Sequence, residues 1–384
     1  MYIYYISGSI IPSRSANSIH VTNICNEIFN KKINFKLFAA TKKIIFKTSI
    51  NKINDYYNTN FSNKNLILIF YPFNRLIEPL IFILSLLHII YDLIKNKKPD
   101  LIITRNLFAA YSYSFFKLNI IYETHIPETG LRLFFQKKIF KSNLKKIVIT
   151  KNLKNYFINK YQLKNSSNIH ILSDAARYFN YDKNKSNILK IKENLIKNSI
   201  NKNKFFCGYF GHLYPGSGIE KIVYLAKKNQ DIDFYVFGGD KKLILEYKKN
   251  NKIVNNLFFF GFVEPSKIYI YMSAMNILLL PYEDKILLKN NKTDKSNWMS
   301  PLKLFEYMSV NIPILSSKLE VFKGILNQNN SYLVPPDKLH DWDSKIKYIK
   351  NNMDIAKENS KNAHRDFLDN FTWKIRLEKI IELI

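Results

Sequence analysis

The residues with the clearest potential for chemistry lie in one short segment, residues 300–308, with the sequence SPLKLFEYM. Serine followed by proline is typical of a helix start, so we predict Ser300 at the N-cap and Pro301 as the first helical residue. The first backbone N–H groups of such a helix are unpaired and Lys303 adds a positive charge beside them, which favours a bound phosphate. Glu306, one turn further along, could accept hydrogen bonds from both hydroxyls of a ribose. The simpler alternative is a surface ion pair between Lys303 and Glu306.

The composition bounds the kind of protein that carries this segment. A length of 384 residues exceeds what one hydrophobic core supports and predicts two domains. The 47% of hydrophobic and 23% of charged residues exclude wholesale disorder. The formal net charge is +29, and residues 1–200 hold most of it, with 31 Lys and Arg against 10 Asp and Glu. This excess would suit an anionic membrane surface, and partnerless lysines supplied by an A/T-rich genome explain it equally well.

Several features concern location and partners. No motif of a nucleic-acid-binding module accompanies the charge, so we predict no nucleic-acid partner. The two cysteines, Cys25 and Cys207, are far apart, which predicts neither a disulfide framework nor a zinc site. The N-terminal sequence is not expected to act as a signal peptide. The most apolar stretch, 80–91, is predicted to be a buried helix, with a shallow membrane-touching helix as the alternative. We therefore predict a cytoplasmic protein and leave open that it docks on the inner face of the cell membrane.

The elements that must position the residues of the 300–308 segment follow from the hydrophobic pattern. Short β-branched or aromatic runs alternate with longer amphipathic segments, which is typical of βαβ units and parallel sheets. The predicted strands are 2–6, 33–38, 66–71, 101–104, 120–123, 147–150 and 169–172 in the first half, and 205–210, 234–237, 257–262, 277–281, 313–316 and 332–334 in the second. The pattern predicts an α/β fold with two doubly wound sheets.

The domain limits follow from composition. The Lys-, Asn- and Ser-rich stretch 180–204 is predicted to be a hinge with one weak helical patch. We therefore predict an N-terminal domain, 1–190, and a C-terminal domain, 203–369. Because ligands of open α/β sheets bind beyond the carboxyl ends of the strands, function is expected in the cleft between the domains. The long polar loop 283–299 could act as a lid over this cleft.

Three segments of the second half resemble, in order and spacing, the retaining glycosyltransferases of family 4, the group 1 type with a GT-B fold and here an SPLK-type nucleotide-binding helix. They are YFGHLYPGSGIEKIVYLAK from residue 209, GFVEPSKIYIYMSAMNILLLPY from residue 261 and SPLKLFEYMSVNIPILSS from residue 300. The resemblance implies two Rossmann-like domains facing across a cleft, with the helix 370–384 crossing back to the first domain. It also implies transfer of a sugar, of hexosyltransferase type, from a nucleoside diphosphate sugar to a hydroxyl acceptor.

The same resemblance implies a set of site residues. The donor-binding residues would be Gly211, His212, Gly216, Ser217, Gly218, Gly238, Pro281, Tyr282, Ser300, Pro301, Leu302, Lys303 and Glu306. The acceptor-side residues would be Arg14, Ser15, Asn17, His20 and Arg105. His125, which follows a predicted strand, would lie near the donor sugar, so that His125, Lys303 and Glu306 form the catalytic set. The acceptor would be a glycan, a lipid-linked sugar or a precursor of a cell-surface polysaccharide, and neither a metal ion nor another cofactor is expected.

The chain departs from the pattern of this family at three positions. The loop arginine and lysine of many relatives correspond here to His212 and Ser217, and the first of two glutamates spaced by seven residues is missing, with Trp298 lying eight residues before Glu306. Rate and donor identity therefore stay open.

Two other functions remain alternatives on the sequence alone. A catalytically weak GT-B protein could serve as a binding partner in sugar assembly, and a sugar-nucleotide epimerase could draw its acid and base from Glu123, His125 and Glu128. Apart from the resemblance, His125 could be an ordinary histidine at a strand end, and Arg14 and Arg105 could be solvated. The sequence does not determine the donor sugar, its base, the acceptor or the oligomeric state.

Overall fold

The computed structural model describes residues 1–42, 49–71, 76–199, 205–250, 254–287 and 294–384. The chain divides into two compact units, one formed by residues 1–175 with 373–384 and the other by residues 176–372. The division lies earlier than the predicted boundary at residue 190, which falls inside a helix of the second unit. The last residues of the chain return to the first unit, where the C-terminal helix packs on the first helix.

The first unit is a parallel sheet of seven described strands with helices between them. The strand order is β3-β2-β1-β4-β5-β6-β7, so the direction of winding reverses between β1 and β4. The strands are β1 (Tyr2–Ile10), β2 (Asn34–Thr41), β3 (Leu66–Phe70), β4 (Leu101–Thr104), β5 (Ile120–Thr124), β6 (Lys145–Val148) and β7 (Ile169–Ile171). The helices are α1 (Ala16–Asn30), α2 (Ile50–Tyr57), α3 (Ile77–Ile94), α4 (Leu107–Tyr113), α5 (Leu131–Lys141), α6 (Lys151–Tyr161) and, at the C-terminus, α14 (Trp373–Ile381).

The second unit is a parallel sheet of six described strands in the order β10-β9-β8-β11-β12-β13, with its reversal between β8 and β11. The strands are β8 (Phe206–Phe210), β9 (Asp233–Phe237), β10 (Leu257–Gly261), β11 (Ile277–Leu280), β12 (Ile314–Ser317) and β13 (Tyr332–Val334). The helices are α7 (Tyr181–Asn198), α8 (Ile219–Lys228), α9 (Lys241–Asn250), α10 (Ile268–Ser273), α11 (Leu302–Ser309), α12 (Leu339–Asn351) and α13 (Met353–Asn370).

The sheets form because their strands are apolar on both faces, as helix-covered parallel strands require. Strands β4, β8, β9 and β11 are buried along their whole length. In the second unit the side chains of alternate faces enter two separate cores; Phe210 lies in one and Tyr209, its neighbour, in the other. The predicted doubly wound α/β fold is thus confirmed, and each predicted strand is present with shifts of a few residues at its ends.

Three expectations need correction or fall partly outside the described chain. The stretch predicted to be a hinge forms the 18-residue helix α7, which Asn180 caps by accepting a hydrogen bond from the Lys183 N–H. The apolar helix predicted to be buried is α3, and much of its outer side is exposed. The loop 283–299 includes residues 288–293, which lie outside the described residues, so a lid there stays a prediction.

Candidate donor site and the buried histidine cluster

In the second unit the residues predicted to bind the donor lie near the point where the sheet reverses its winding. The loop 211–218 follows β8 and the segment 281–287 follows β11, and these two strands are neighbours. Open α/β sheets bind ligands beyond the carboxyl ends of strands at this kind of switch point. The topology therefore brings together the glycine loop and the Pro281–Tyr282 pair that the sequence places there.

Lys303, in the first turn of α11, is held by aromatic side chains. Its Nζ donates a hydrogen bond of 3.0 Å to the Tyr209 hydroxyl and lies 4.2 Å from the centre of the Tyr209 ring and 4.6 Å from that of Tyr282. Such cation–π contacts are stronger when the ammonium group is desolvated. Lys303 forms no salt bridge with a carboxylate of the described residues, so the surface ion pair with Glu306 is not formed.

Gly211 and Gly238 leave the space that the Lys303 ammonium group occupies. A Cβ on Gly211 would lie 2.4 Å from Lys303 Nζ. Gly238, with φ +107°, would place a Cβ 2.1 Å from the Gly211 carbonyl oxygen. The Gly211 N–H donates to the Phe237 carbonyl at 2.9 Å, which ties the two strand ends together. Glycine at 238 is therefore required by contact with the backbone of Gly211, and glycine at 211 leaves space for the Lys303 ammonium group in this position.

The rest of the glycine loop is fixed against the segment after β11. Gly216 and Gly218 both have φ +84°, and added Cβ atoms would lie 1.9 Å from the Lys285 carbonyl oxygen and 1.8 Å from that of Pro281. The Lys221 ammonium, on α8, also donates to the Pro281 carbonyl at 3.2 Å. The loop thus has one backbone path, which only glycine can follow at these positions.

The charges of Lys303 and Glu306 are both disfavoured in this environment. Burial lowers the pKa of Lys303 to about 7, and the charge of Lys295 acts in the same direction. Burial raises the pKa of Glu306 to about 7, against the opposing effects of Lys303 and Arg177. A site with a desolvated cation and a desolvated acid is poised to take a ligand that supplies an anion and hydroxyl groups.

The start of α11 differs in detail from the prediction. Pro301 takes the N-cap position, with φ −74° and ψ 127°, and the helix begins at Leu302 rather than at Pro301. The reason is the extended backbone of Pro301, which leaves Ser300 one residue outside the cap. Ser300 and Leu302 are buried.

The two positions at which relatives carry loop cations have different surroundings here. His212 is exposed and stacks on the Tyr214 ring at 4.8 Å, and its carbonyl accepts a hydrogen bond from the Tyr209 hydroxyl. Ser217 is buried. Neither residue brings a permanent positive charge to the loop.

In the first unit Glu123 is the centre of a buried cluster. Its Oε1 lies 2.7 Å from His125 Nε2, 2.9 Å from His20 Nε2 and 3.2 Å from an Arg376 guanidinium nitrogen. Burial alone would raise the pKa of Glu123, but the charges of His20 and Arg376 outweigh it and hold the pKa well below its usual range. The cluster therefore joins α1, the end of β5 and the C-terminal helix α14.

His20 has a different place from the one expected. The sequence puts it on the acceptor side, yet it is only 1% exposed, and its Nδ1 lies 2.7 Å from Asp174 while its Nε2 faces Glu123. Its ring also packs edge-on against Trp373. Both nitrogens thus lie within ion-pair distance of a buried carboxylate.

The same cluster has to be weighed as a metal site. Ligand atoms of His20, His125 and Asp174 lie within 4.8 Å of one another, as a metal centre would need. The ring nitrogens of the two histidines already face the carboxylates of Glu123 and Asp174. The Arg376 guanidinium supplies the positive charge that a metal ion would otherwise bring. The arrangement fits a buried ion-pair network better than a metal centre.

His125 is the member of the cluster that is partly exposed. Burial, followed by the charge of Arg105, lowers the pKa of His125 to about 4, so its ring is neutral at pH 7. Since Nε2 faces an ionised Glu123, Nε2 carries the hydrogen and Nδ1 is left as an acceptor. The ring is therefore a fixed, uncharged hydrogen-bonding group.

The remaining acceptor-side residues lie around the carboxyl ends of β1 and β4. Ser15 caps α1 by accepting from the Ser18 N–H, and Arg14 before it is exposed. Asn17 and Arg105 each keep a buried polar atom, Oδ1 and one guanidinium nitrogen, without a hydrogen bond to a described residue. The two could serve a ligand.

The acid–base set of an epimerase is less well supported. Glu128 is bound to Arg132 at 2.7 Å, and Glu123 is enclosed by His20, His125 and Arg376. Neither carboxylate is available as a base.

Sequence reasoning missed four residues that shape these sites. They are Tyr209 and Lys295 near Lys303, and Asp174 and Arg376 in the histidine cluster. Asp174 follows β7, so the rule on the carboxyl ends of strands could have found it. No local signal marks the other three: Tyr209 and Arg376 have partners that are distant in sequence, and Lys295 is one of several lysines in a polar loop.

Comparisons with known proteins bear on the family. Residues 190–366 match the family model for glycosyl transferases group 1. None of the curated protein sequences matches the chain.

Solved structures give the fold of the whole chain. Sucrose-phosphate synthase from Thermosynechococcus elongatus aligns over 100% of this chain and 98% of its own, at 15% identity and a TM-score of 0.71. HepE from Anabaena, in complex with UDP, aligns over 100% and 99%, at 13% identity and a TM-score of 0.71. A glycosyltransferase from Rickettsia africae aligns over 100% and 97%, at 14% identity and a TM-score of 0.69. These likenesses confirm the predicted GT-B fold.

Proposed function

We propose that the protein transfers a sugar from a nucleoside diphosphate sugar to a hydroxyl group, with retention at the anomeric carbon. The proposal is supported by the match of residues 190–366 to the family model for glycosyl transferases group 1. The bond from the anomeric carbon to the diphosphate breaks, and a bond to the acceptor oxygen forms while that hydroxyl loses its proton. Negative charge grows on the departing diphosphate, and groups fixed in advance to meet that charge lower the barrier.

The observation that carries this proposal is the setting of Lys303. Its ammonium group is desolvated at the start of a helix, between the rings of Tyr209 and Tyr282, and no described carboxylate neutralises it. A cation that is largely removed from water and lacks a counter-ion is unfavourable unless a ligand supplies one. A diphosphate matches the charge, and the N–H groups of the first turn of α11 add donors of the same kind.

The other donor contacts follow from the same helix. Glu306 lies one turn beyond Lys303, where its carboxylate can accept from two ribose hydroxyls. Lys295, whose charge is felt at Lys303, is the candidate for the second cation that His212 and Ser217 do not supply. The catalytic charge would then come from two lysines outside the glycine loop.

In the first unit, we assign His125 to the donor sugar. Its neutral ring, held by Glu123, offers Nδ1 as an acceptor for a sugar hydroxyl without adding a positive charge. Arg105 and Asn17 keep polar atoms for an acceptor.

The finer assignments extend the proposal. We propose a hexosyl donor, because HepE has been solved with UDP-glucose and TarM with UDP and α-GlcNAc-glycerol. The acceptor is proposed to be a glycan or a lipid-linked sugar, the protein to be cytoplasmic, and the reaction to need no metal. Transfer that persists in a strong chelator is the expected result for the last point.

The experiment that tests the donor site is a thermal shift with a panel of nucleoside diphosphate sugars, followed by calorimetry and by release of nucleoside diphosphate in the presence of acceptors. A ligand that binds only the folded form raises the melting temperature. Lys303→Met and Glu306→Gln should each remove most of the shift.

The chain offers a matched control for these variants. Glu358 and Lys361 form an ordinary exposed i,i+3 pair at 3.1 Å on α13. Lys361→Met and Glu358→Gln should leave donor binding unchanged. Equal effects of the site and control variants, or no binding of any donor, would contradict the site.

The catalytically weak binding partner stays the second candidate, favoured by the absence of cations at His212 and Ser217. It predicts donor binding that depends on Lys303 with neither hydrolysis nor transfer under any acceptor tested. Retention itself is checked by the configuration of the product, and an inverted product would contradict it.

A further inference from the structure

The helix α3 is apolar on the side that faces away from its sheet. Its inner side is fixed to the first unit: Ile81 and Ile89 are buried, Ser85 lies within 2.7 Å of the Tyr113 hydroxyl, and Asp92 accepts a hydrogen bond of 2.8 Å from Tyr2. The helix is long and apolar enough to cross a membrane by length and composition. These contacts instead lay it along the sheet, where its polar groups have partners.

The outer side of α3 lacks the polar residues that a surface helix normally shows to water. Leu87 is 60% and Ile94 73% exposed, and Ile83, Ile90 and Tyr91 on the same side are also exposed. The exposed residues recur at spacings of three and four, so they form one stripe along the helix.

Neighbouring elements extend this stripe. Helix α3 packs on α4, and α4 packs on α5, with Tyr111 of α4 against Phe135 of α5 at 5.1 Å. Phe115 after α4 is 73% exposed, and Leu131 on α5 is 78% exposed. Phe116 and Phe134 are exposed beside them. We call the exposed apolar residues of α3, of 115–116 and of α5 the α3–α5 face. Contiguous apolar surface of this kind marks an interaction site.

Lysines border the α3–α5 face. Lys95, Lys97 and Lys98 follow α3, and Lys98 Nζ donates to the Lys117 carbonyl at 2.6 Å, which joins the end of α3 to the Phe115–Phe116 turn. On α5, the exposed lysines are Lys137, Lys138 and Lys141. None of these six lysine side chains forms a salt bridge with a described carboxylate, so their charge is open to a partner.

We propose that the α3–α5 face docks the protein on an anionic lipid bilayer. Its apolar side chains would enter the boundary between head groups and acyl chains, as an interfacial helix does, while the lysines meet lipid phosphates. The positive charge of the face favours an anionic bilayer over a second copy of the chain. In a two-fold contact the same lysine clusters would face each other and repel. The inference does not depend on sugar transfer, since its test measures lipid binding.

The test is co-flotation of the full chain with vesicles of phosphatidylcholine alone and of phosphatidylcholine with phosphatidylglycerol, at low and high salt. Two variants disrupt the face: one combines Ile83→Asp with Leu87→Asp, and the other combines Lys95→Gln, Lys97→Gln and Lys98→Gln. We expect tight binding to the anionic vesicles only, weakened at least tenfold in each variant and by high salt.

Matched controls carry substitutions of the same kinds in the second unit. They are Leu245→Asp on α9, where Leu245 is 67% exposed, and Lys227→Gln with Lys228→Gln on α8. The controls should bind like the unaltered protein, and melting temperatures should show that all variants are folded. If the double aspartate variant does not fold, the triple glutamine variant still tests vesicle binding.

Three results would overturn the proposal. One is equal binding to neutral and anionic vesicles, or to neither. Another is face variants that bind as tightly as the controls. The third is a dimer in solution that the face variants convert to a monomer while vesicles are not bound, which would assign the face to a second copy. Donor binding measured in the same samples separates these results from any failure of the proposed sugar transfer.

Discussion

The pH dependence of donor binding tests the role of Lys303 directly. Its pKa is lowered to about 7, mainly by burial, in the protein without ligand. A diphosphate beside the ammonium group would move this pKa back towards the ordinary value of about 10.5. The donor itself does not titrate in this range, since each phosphate of a sugar nucleotide carries one charge. Binding above pH 7 must therefore take up a proton at Lys303.

The direction and size of the change in donor affinity with pH follow from the difference between the Lys303 pKa in the free protein and in the complex. As the pH rises through 7, Lys303 loses its proton in the free protein and keeps it in the complex, so affinity falls. Between pH 7 and pH 8.5 the loss is about fifteenfold, or about 1.6 kcal/mol, and at pH 8 about 0.9 proton is taken up per donor. Because the side chain is partly exposed, solvent screening makes these upper values.

Calorimetry in two buffers of different ionisation enthalpy measures both affinity and proton uptake. Glu306 also titrates near pH 7, and ribose hydroxyls that donate to its carboxylate would lower its pKa and release a proton, so Lys303→Met is the informative comparison. In Lys303→Met, affinity should be low at all pH values and the slope above pH 7 should vanish, while Lys361→Met keeps the slope. A flat profile in the unaltered protein, or the same slope in Lys303→Met, would refute the reasoning.

Three further outcomes are expected. Glu306→Gln should weaken donor binding about 10- to 100-fold, since a hydrogen bond to a charged group contributes about 1.5–3 kcal/mol, and calorimetry that finds unchanged affinity would exclude the ribose contact. Glu123→Gln leaves the buried Arg376 guanidinium without this carboxylate and should cost about 3–5 kcal/mol of unfolding free energy in urea; a stable variant would show that the network is dispensable. Gly218→Ala should destabilise more than Gly324→Ala, because both glycines have left-handed φ and only the Cβ at 218 meets a backbone oxygen, that of Pro281. Strain alone should cost about 1–2 kcal/mol at 324, and equal melting temperatures would count against the contact.

The strands could be predicted from the sequence because parallel strands covered by helices are apolar on both faces. Strand β11 reads ILLL and is wholly buried, so composition alone identifies it. Helix α7 gives no such signal. In its sequence YDKNKSNILKIKENLIKN only Ile188 and Leu195 are buried, and the helix is secured by packing on α10, which local sequence does not report. The exposure of the outer side of α3 could not be predicted either, because an apolar helix has the same sequence pattern whether or not another element covers it.

The site could be predicted only in part, for a similar reason. The segment around Lys303 and Glu306 contains its own signal, a helix start with a cation and an acid one turn apart. The ring of Tyr209 that faces Lys303 lies 94 residues earlier in the chain. Arg376 reaches Glu123 only because the C-terminal helix returns to the first unit. Contacts of this kind depend on the chain topology. A sequence motif can therefore identify a charged residue such as Lys303 without identifying the side chains that contact it.

The aromatic contacts of Lys303 also suggest how the proposed site can function without positive charges at His212 and Ser217. A carboxylate bound to Lys303 would stabilise the free protein, but it would compete with the diphosphate and would have to be displaced at each turnover. Ring faces instead attract the ammonium group by about 0.5–2 kcal/mol each without neutralising it. The lysine is thus fixed in place by Tyr209 and Tyr282 while its charge stays unpaired. Since the free protein bears the cost of that desolvated charge, the anion that relieves it gains affinity, and the gain is greatest for the diphosphate as its negative charge grows during bond cleavage.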